Sequence, residues 1–183
     1  MIELITAYHG TSDIWRILQY DAILSPYEMQ FRWDRFKPDY DRLTKELADG
    51  ARSRNFQLPS EEVSDEALAD YAVMRDACPN GSRYRELVRN LFVYLTANCE
   101  VAKNYSRAEN SDNIGGVIEV EISRSLLRQS QHLLQGGLGA IEVPRKVELV
   151  YAKRIFISKR GDEEYARFMC NVFDKGDLEV IVM

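Results

Sequence analysis

Three separated blocks hold the residue types best suited to chemistry. The first is His9-Gly10-Thr11-Ser12, which follows the apolar run Leu4-Ile5-Thr6-Ala7-Tyr8. A histidine at a strand end often does no more than hydrogen-bond a turn. Glycine beside it also lets a ligand approach the backbone N–H and C=O, because no Cβ stands in the way. The second block holds Tyr94, in the apolar run Leu91 to Leu95, and Tyr105, at the end of a stretch that Asn98 can cap. Tyrosines in such a setting usually pack in a core with a wet hydroxyl. The third is Glu142 within Ala140-Ile141-Glu142-Val143, where strand alternation alone would put the acid on an exposed face.

The rest of the sequence narrows the options. Two histidines, His9 and His132, are too few for a multi-histidine metal centre, and neither has the partners of a zinc protease or a Ser-His-Asp hydrolase nearby. No metal site is expected. There is no GxxxxGKS loop, and Gly136-Gly137 lacks a GxGxxG context. Cys78, Cys99 and Cys170 are odd in number and form no CxxC pair, so they read as buried small residues.

These blocks need elements to position them. Leu4 to Tyr8 reads as a buried strand, with Thr11 and Ser12 able to cap a helix whose face carries Ile14, Ile17 and Leu18; Pro26 stops that segment from continuing as helix. Residues 27–90 read as helical: Tyr40, Leu43 and Leu47 lie on one face before Gly50, and Ser64 caps a stripe of Ala67, Tyr71, Met74 and Cys78. Strands then follow at 91–95, at 116–122 as a half-exposed strand, and at 139–143, 154–157 and 178–182, with a helix carrying Tyr165, Phe168, Met169 and Val172 between the last two. Strands outnumber the helical links between them, which predicts α+β with mainly antiparallel sheets.

The 183 residues fit a single domain, 1–183, with a helical insertion at about 27–90. A net charge of −5 argues against a general nucleic-acid coat; seven bases against five acids at 32–54, near Phe31, Trp33, Phe36 and Phe56, could form a local basic face, but the usual core preference of aromatics favours a helical lid whose aromatics are core. No apolar run is long enough to span a bilayer, and Met1-Ile2-Glu3-Leu4 does not resemble a signal peptide, so a soluble cytoplasmic protein is expected.

Taken in order, the blocks resemble the ADP-ribosyltransferases, in particular the His-Tyr-Glu branch of the poly(ADP-ribose) polymerases and diphtheria-type toxins. Tyr8-His9-Gly10-Thr11-Ser12 is similar to the first motif, and Ile14 to Ser25 to the helix and short apolar segment after it. Tyr94-Leu95-Thr96-Ala97-Asn98-Cys99-Glu100-Val101-Ala102-Lys103-Asn104-Tyr105 resembles the second, and Glu142-Val143-Pro144 with Val150 to Ile157 the third. The resemblance implies split, mainly antiparallel sheets with flanking helices, and NAD as co-substrate.

It further implies that His9 binds the adenosine-side ribose, that the Gly10 backbone binds the nicotinamide carboxamide, and that Tyr94 and Tyr105 sandwich the nicotinamide ring. Thr11 would line the adenosine side, and Glu142 would act in transfer to a protein or nucleic-acid acceptor. Ala102 occupies the cofactor-binding position where polymerase-type enzymes often carry serine, so one contact is lost or replaced. Ala140 stands two positions before Glu142, so the arginine-modifying Gln/Glu-x-Glu pattern is absent, and residues 27–90 are far longer than the link in the smallest members and resemble no known motif. The competing expectations are a catalytically silent NAD-binding or interaction domain and an RNA 2′-phosphotransferase of the same fold.

Overall fold

The apolar start of the chain forms strand β1 (Leu4–Thr11), which pairs antiparallel with β4 (Gly116–Ser123) along its whole length. The computed structural model describes residues 3–54, 63–75, 78–107, 113–128, 140–157 and 162–183; Phe56, His132, Gly136, Gly137 and Gly139 lie outside them. On its other edge β4 pairs antiparallel with β7 (Ala152–Ile157), and β8 (Glu179–Val182) runs parallel to β7. Two small antiparallel ladders complete the β structure: β2 (Ala22–Leu24) with β6 (Lys146–Glu148), and β3 (Phe92–Leu95) with β5 (Ile141–Pro144). The fold is therefore α+β with mainly antiparallel strands.

Strand β4 is not half-exposed as its alternation suggested. Val117, Ile118, Val120 and Ile122 are fully buried, and Glu119 is only 8% exposed, with Arg154 Nη1 3.5 Å from its carboxylate. A neighbouring strand on each edge and helix α6 (Cys99–Lys103) over the Glu119 face remove the solvent that alternation implied.

Helix α1 (Ile14–Tyr20) buries Ile14, Ile17 and Leu18 as expected, but its cap is Asp13, which accepts from the Arg16 N–H. Thr11 belongs to β1, and its hydroxyl accepts the Asp13 N–H at 3.1 Å. Pro26 opens a new helix, α2 (Pro26–Met29), behind the Ser25 cap, because a first-turn position needs no N–H.

Residues 27–90 are largely helical where described: α3 (Trp33–Ser53), α4 (Asp65–Arg75) and α5 (Gly81–Leu91) follow α2. Gly50 does not end α3, which continues for one more turn. Ser64 caps α4 by accepting the Ala67 N–H at 3.2 Å. The buried side of α4 is Ala67, Leu68, Ala69, Ala72 and Val73, and Met74 from the expected stripe is 82% exposed. Small residues on α4 and Ala48 and Ala51 on α3 let the two helices pack closely. Their core, including Tyr40, Leu43, Leu47, Tyr84 and Leu87, reaches Phe92 at the start of β3.

Helix α7 (Glu163–Val172) also turns a different face inward. Ala166, Met169 and Cys170 are buried, while Tyr165, Phe168 and Val172 are exposed. Only Cys170 of the three free cysteines is buried; Cys78 and Cys99 are half-buried. No helix among the described residues is long and apolar enough to cross a membrane.

Candidate functional site

The three sequence blocks meet where β1 and β3 touch and then part. The Tyr8 N–H donates to the Thr96 carbonyl at 2.8 Å, and the Thr96 N–H donates back to Tyr8 at 2.9 Å. This is an isolated bridge on the β1 edge away from β4. Strand groups repeat every two residues, so the N–H and C=O of Gly10 point to that same open side. The side chains of His9 and Thr11 share the opposite face from Tyr8 and Gly10.

His9 is fixed by the second block. Its Nδ1 lies 3.0 Å from the Tyr94 carbonyl oxygen. A carbonyl can only accept, so Nδ1 carries the proton and Nε2 presents a lone pair. Burial lowers the His9 pKa and so favours the neutral ring, while the bond to the Tyr94 carbonyl opposes that shift. His9 and Thr11 line a recess of about 150 Å³ with Asp13, Arg16, Tyr20 and Met29.

Gly10 is required by the chain's own packing. The Asn98 side chain caps α6 by accepting the Glu100 N–H at 2.9 Å, and the end of that helix lies on Gly10. A Cβ at Gly10 would overlap the Ala102 carbonyl oxygen and stand 2.9 Å from Tyr105 Cβ. The close approach inferred from the glycine is thus made by helix α6. Ala102 is 1% exposed, so its methyl is closed to a ligand, whereas Tyr105 is 69% exposed beside Gly10. No ring contact joins Tyr105 to Tyr94 among the described residues.

Tyr94 and Glu142 are direct partners in the β3–β5 ladder. Side chains so paired extend from the same face with Cβ atoms about 5 Å apart. Burial pushes the Tyr94 hydroxyl up, with Glu142 adding to the effect. Glu142 is not on an exposed face: its side chain is 14% exposed, and its Oε2 lies 2.8 Å from Arg128 Nη1. The Arg128 backbone N–H also donates to the Glu142 carbonyl at 2.8 Å. Burial raises the Glu142 pKa, and Arg128 opposes that rise by charge and by hydrogen bonding.

Arg128 was not singled out from the sequence, and it is the centre of the site's electrostatics. Its side chain is 2% exposed and its guanidinium lies 5.0 Å from the centre of the Phe92 ring. Nε donates to Tyr40 Oη at 3.0 Å, and Nη2 donates to Tyr84 Oη at 2.5 Å and Asp70 Oδ1 at 2.9 Å. Tyr84 donates to Asp70 at 2.9 Å, and Tyr40 donates to Glu66 at 2.7 Å. Burial works against the charge, but the tyrosines, Asp70 and Glu142 hold Arg128 protonated. Only one sequence signal pointed here: Asp70 interrupts the apolar run Ala67-Leu68-Ala69-Asp70-Tyr71-Ala72-Val73, as an acid with a buried partner would.

Much of the basic stretch at 32–54 is neutralised by acids on α3 and α4. Lys37 pairs with Asp41, Arg42 with Asp39 and Glu46, Lys45 with Asp49, and Arg52 with Asp49 and Asp65. Phe36 stacks on Tyr27 in place of facing solvent, and Trp33 Nε1 donates to the Leu91 carbonyl at 3.3 Å. Phe31 is 91% exposed.

Comparison with protein-family models, curated proteins and solved structures finds none that matches the chain.

Proposed function

We propose that the chain breaks the nicotinamide–ribose bond of NAD and transfers ADP-ribose to a macromolecular acceptor, protein or nucleic acid, in the cytoplasm. The observation that carries this reading is the convergence of three distant blocks: His9 on the Tyr94 carbonyl, Tyr94 opposite Glu142, and Gly10 beneath the turn that carries Tyr105. NAD fits the groups left open. His9 Nε2 can accept from a ribose hydroxyl, and the outward N–H and C=O of Gly10 match the acceptor and donor of a carboxamide. Tyr94 and Tyr105 offer faces to the nicotinamide ring, and Thr11 borders the adenosine side.

Glu142 Oε1 is the carboxylate oxygen opposite the one held by Arg128. It can accept from a hydroxyl of the nicotinamide ribose and offset the positive charge that develops as the C–N bond breaks. The bonding electrons leave with nicotinamide, the acceptor atom bonds the anomeric carbon, and the acceptor's proton passes to water or a base.

A catalytically silent NAD-binding domain is the second reading, favoured by the ion pair that already engages Glu142. Nicotinamide release by the purified chain separates the two. Release that is lost in Glu142→Gln supports the transferase; NAD binding without release supports the silent domain. Loss of a 2′-phosphate from RNA in the same incubation would replace both with a phosphotransferase.

A further inference from the structure

We infer that Arg128 is a positioning residue for Glu142, and that the helical insertion holds Arg128 in place for that task. The inference rests on the transferase reading for its activity assay, although its electrostatic part can be measured without activity.

The geometry is a relay from the insertion to the candidate catalytic strand. Tyr40 on α3, Asp70 and Glu66 on α4, and Tyr84 on α5 surround the guanidinium, which reaches Glu142 on β5 with its remaining nitrogen. All three guanidinium nitrogens therefore have partners, and only Nη1 faces Glu142. The backbone of Arg128 is tied to the same residue through the Glu142 carbonyl. Arg128 thus fixes Glu142 Oε2 while Oε1 stays open to a ribose hydroxyl. A planar fork gripped on several sides sets direction as well as charge, which a flexible ammonium does not do.

The charged and titratable groups around Glu142 have opposing effects. Arg128 lowers its proton affinity, Asp70 and Glu66 raise it, and Tyr94 faces it from β3. Removing Arg128 and removing Asp70 should therefore move the Glu142 titration in opposite directions. This sign reversal is a signature that packing damage alone would not produce. It also gives the insertion a role in the chemistry.

The test is the pH profile of nicotinamide release from NAD by the wild-type chain, Arg128→Gln, Arg128→Lys and Asp70→Asn, each with a melting curve. Arg128→Gln should move the acid limb up by roughly one pH unit or more, the scale expected for losing an adjacent opposite charge. Arg128→Lys should restore the limb but leave kcat about tenfold or more below wild type, because one ammonium cannot reproduce the fork. Asp70→Asn should move the limb down.

If Arg128→Gln does not fold, the lysine and Asp70 variants carry the test. An unchanged acid limb in Asp70→Asn together with wild-type kcat in Arg128→Lys overturns the inference. If the wild-type chain releases no nicotinamide, the transferase reading fails, and carbon-13 NMR titration of labelled glutamate decides the inference separately. The Glu142 signal, identified by its loss in Glu142→Gln, must then shift upward in Arg128→Gln and downward in Asp70→Asn; the same titration in all chains overturns it.

Discussion

Tyr94 and Glu142 are register partners in the two-stranded β3–β5 ladder, so their side chains rise together from one face. The pairing places an aromatic ring next to a carboxylate that burial pushes toward the neutral form and Arg128 holds toward the charged one.

Glu142→Gln is expected to abolish nicotinamide release while leaving NAD affinity within a few-fold of wild type. The amide is nearly isosteric but cannot offset a developing cation. Kinetics paired with calorimetric titration check this, and an active glutamine variant would refute the assignment. If activity vanished in Glu119→Gln or Glu121→Gln instead, β4 would hold the working acid.

Gly10→Ala should destabilise the fold by about 1–3 kcal/mol, in the range of forced overpacking. The new methyl meets the Ala102 carbonyl and the Tyr105 Cβ, neither of which is the end of a flexible side chain. Urea unfolding measures the loss. Wild-type stability in the alanine variant would show that α6 moves aside freely.

Tyr105→Ala should lower NAD affinity with little change in stability, about 0.5 kcal/mol or less, as for an exposed substitution. Its 69% exposure leaves it little core to lose. A melting curve beside an NAD titration separates the effects, and unchanged affinity would put the ring outside the site.

Tyr84→Phe should destabilise by about 1–3 kcal/mol, because its hydroxyl bonds both Arg128 and Asp70 in a buried cluster. Combined with Asp70→Asn, the two effects should be clearly non-additive, since they share one network. Simple additivity in a double-mutant cycle would mean that the groups do not act together.

His9 gives a pH dependence whose sign follows from its environment. Burial lowers its folded pKa below the ordinary 6.5, so the unfolded chain takes up the proton first as pH falls. That contribution to stability is present above the unfolded value and is lost as pH drops through 6.5 toward the lower folded value. His9→Asn, which retains a donor for the Tyr94 carbonyl, should therefore lose less stability than wild type over that interval. Denaturant melts at several pH values test this, and parallel slopes for the two chains would refute it.

Local patterns in the sequence determined much of the scaffold. The position of β1, the buried face of α1, the Ser64 and Asn98 caps, and the mainly antiparallel strand content depend on periodicity and on side chains bonding nearby backbone groups, although β1 is not the buried strand its apolar run suggested: only Ala7 is buried and Leu4 is 58% exposed. His9, Tyr94 and Glu142 could be singled out because each lies in a short run with its own pattern. Only the tertiary structure decided which faces of β4 and α7 were wet. It buried Glu119 under α6 and turned Tyr165 and Phe168 outward, because coverage by distant elements overrides two-residue or four-residue alternation. It alone also revealed the Arg128 cluster. An arginine after a strand has no local signature when its tyrosine and carboxylate partners lie on three helices and another strand, so burying its charge becomes tolerable only once those elements have assembled around it.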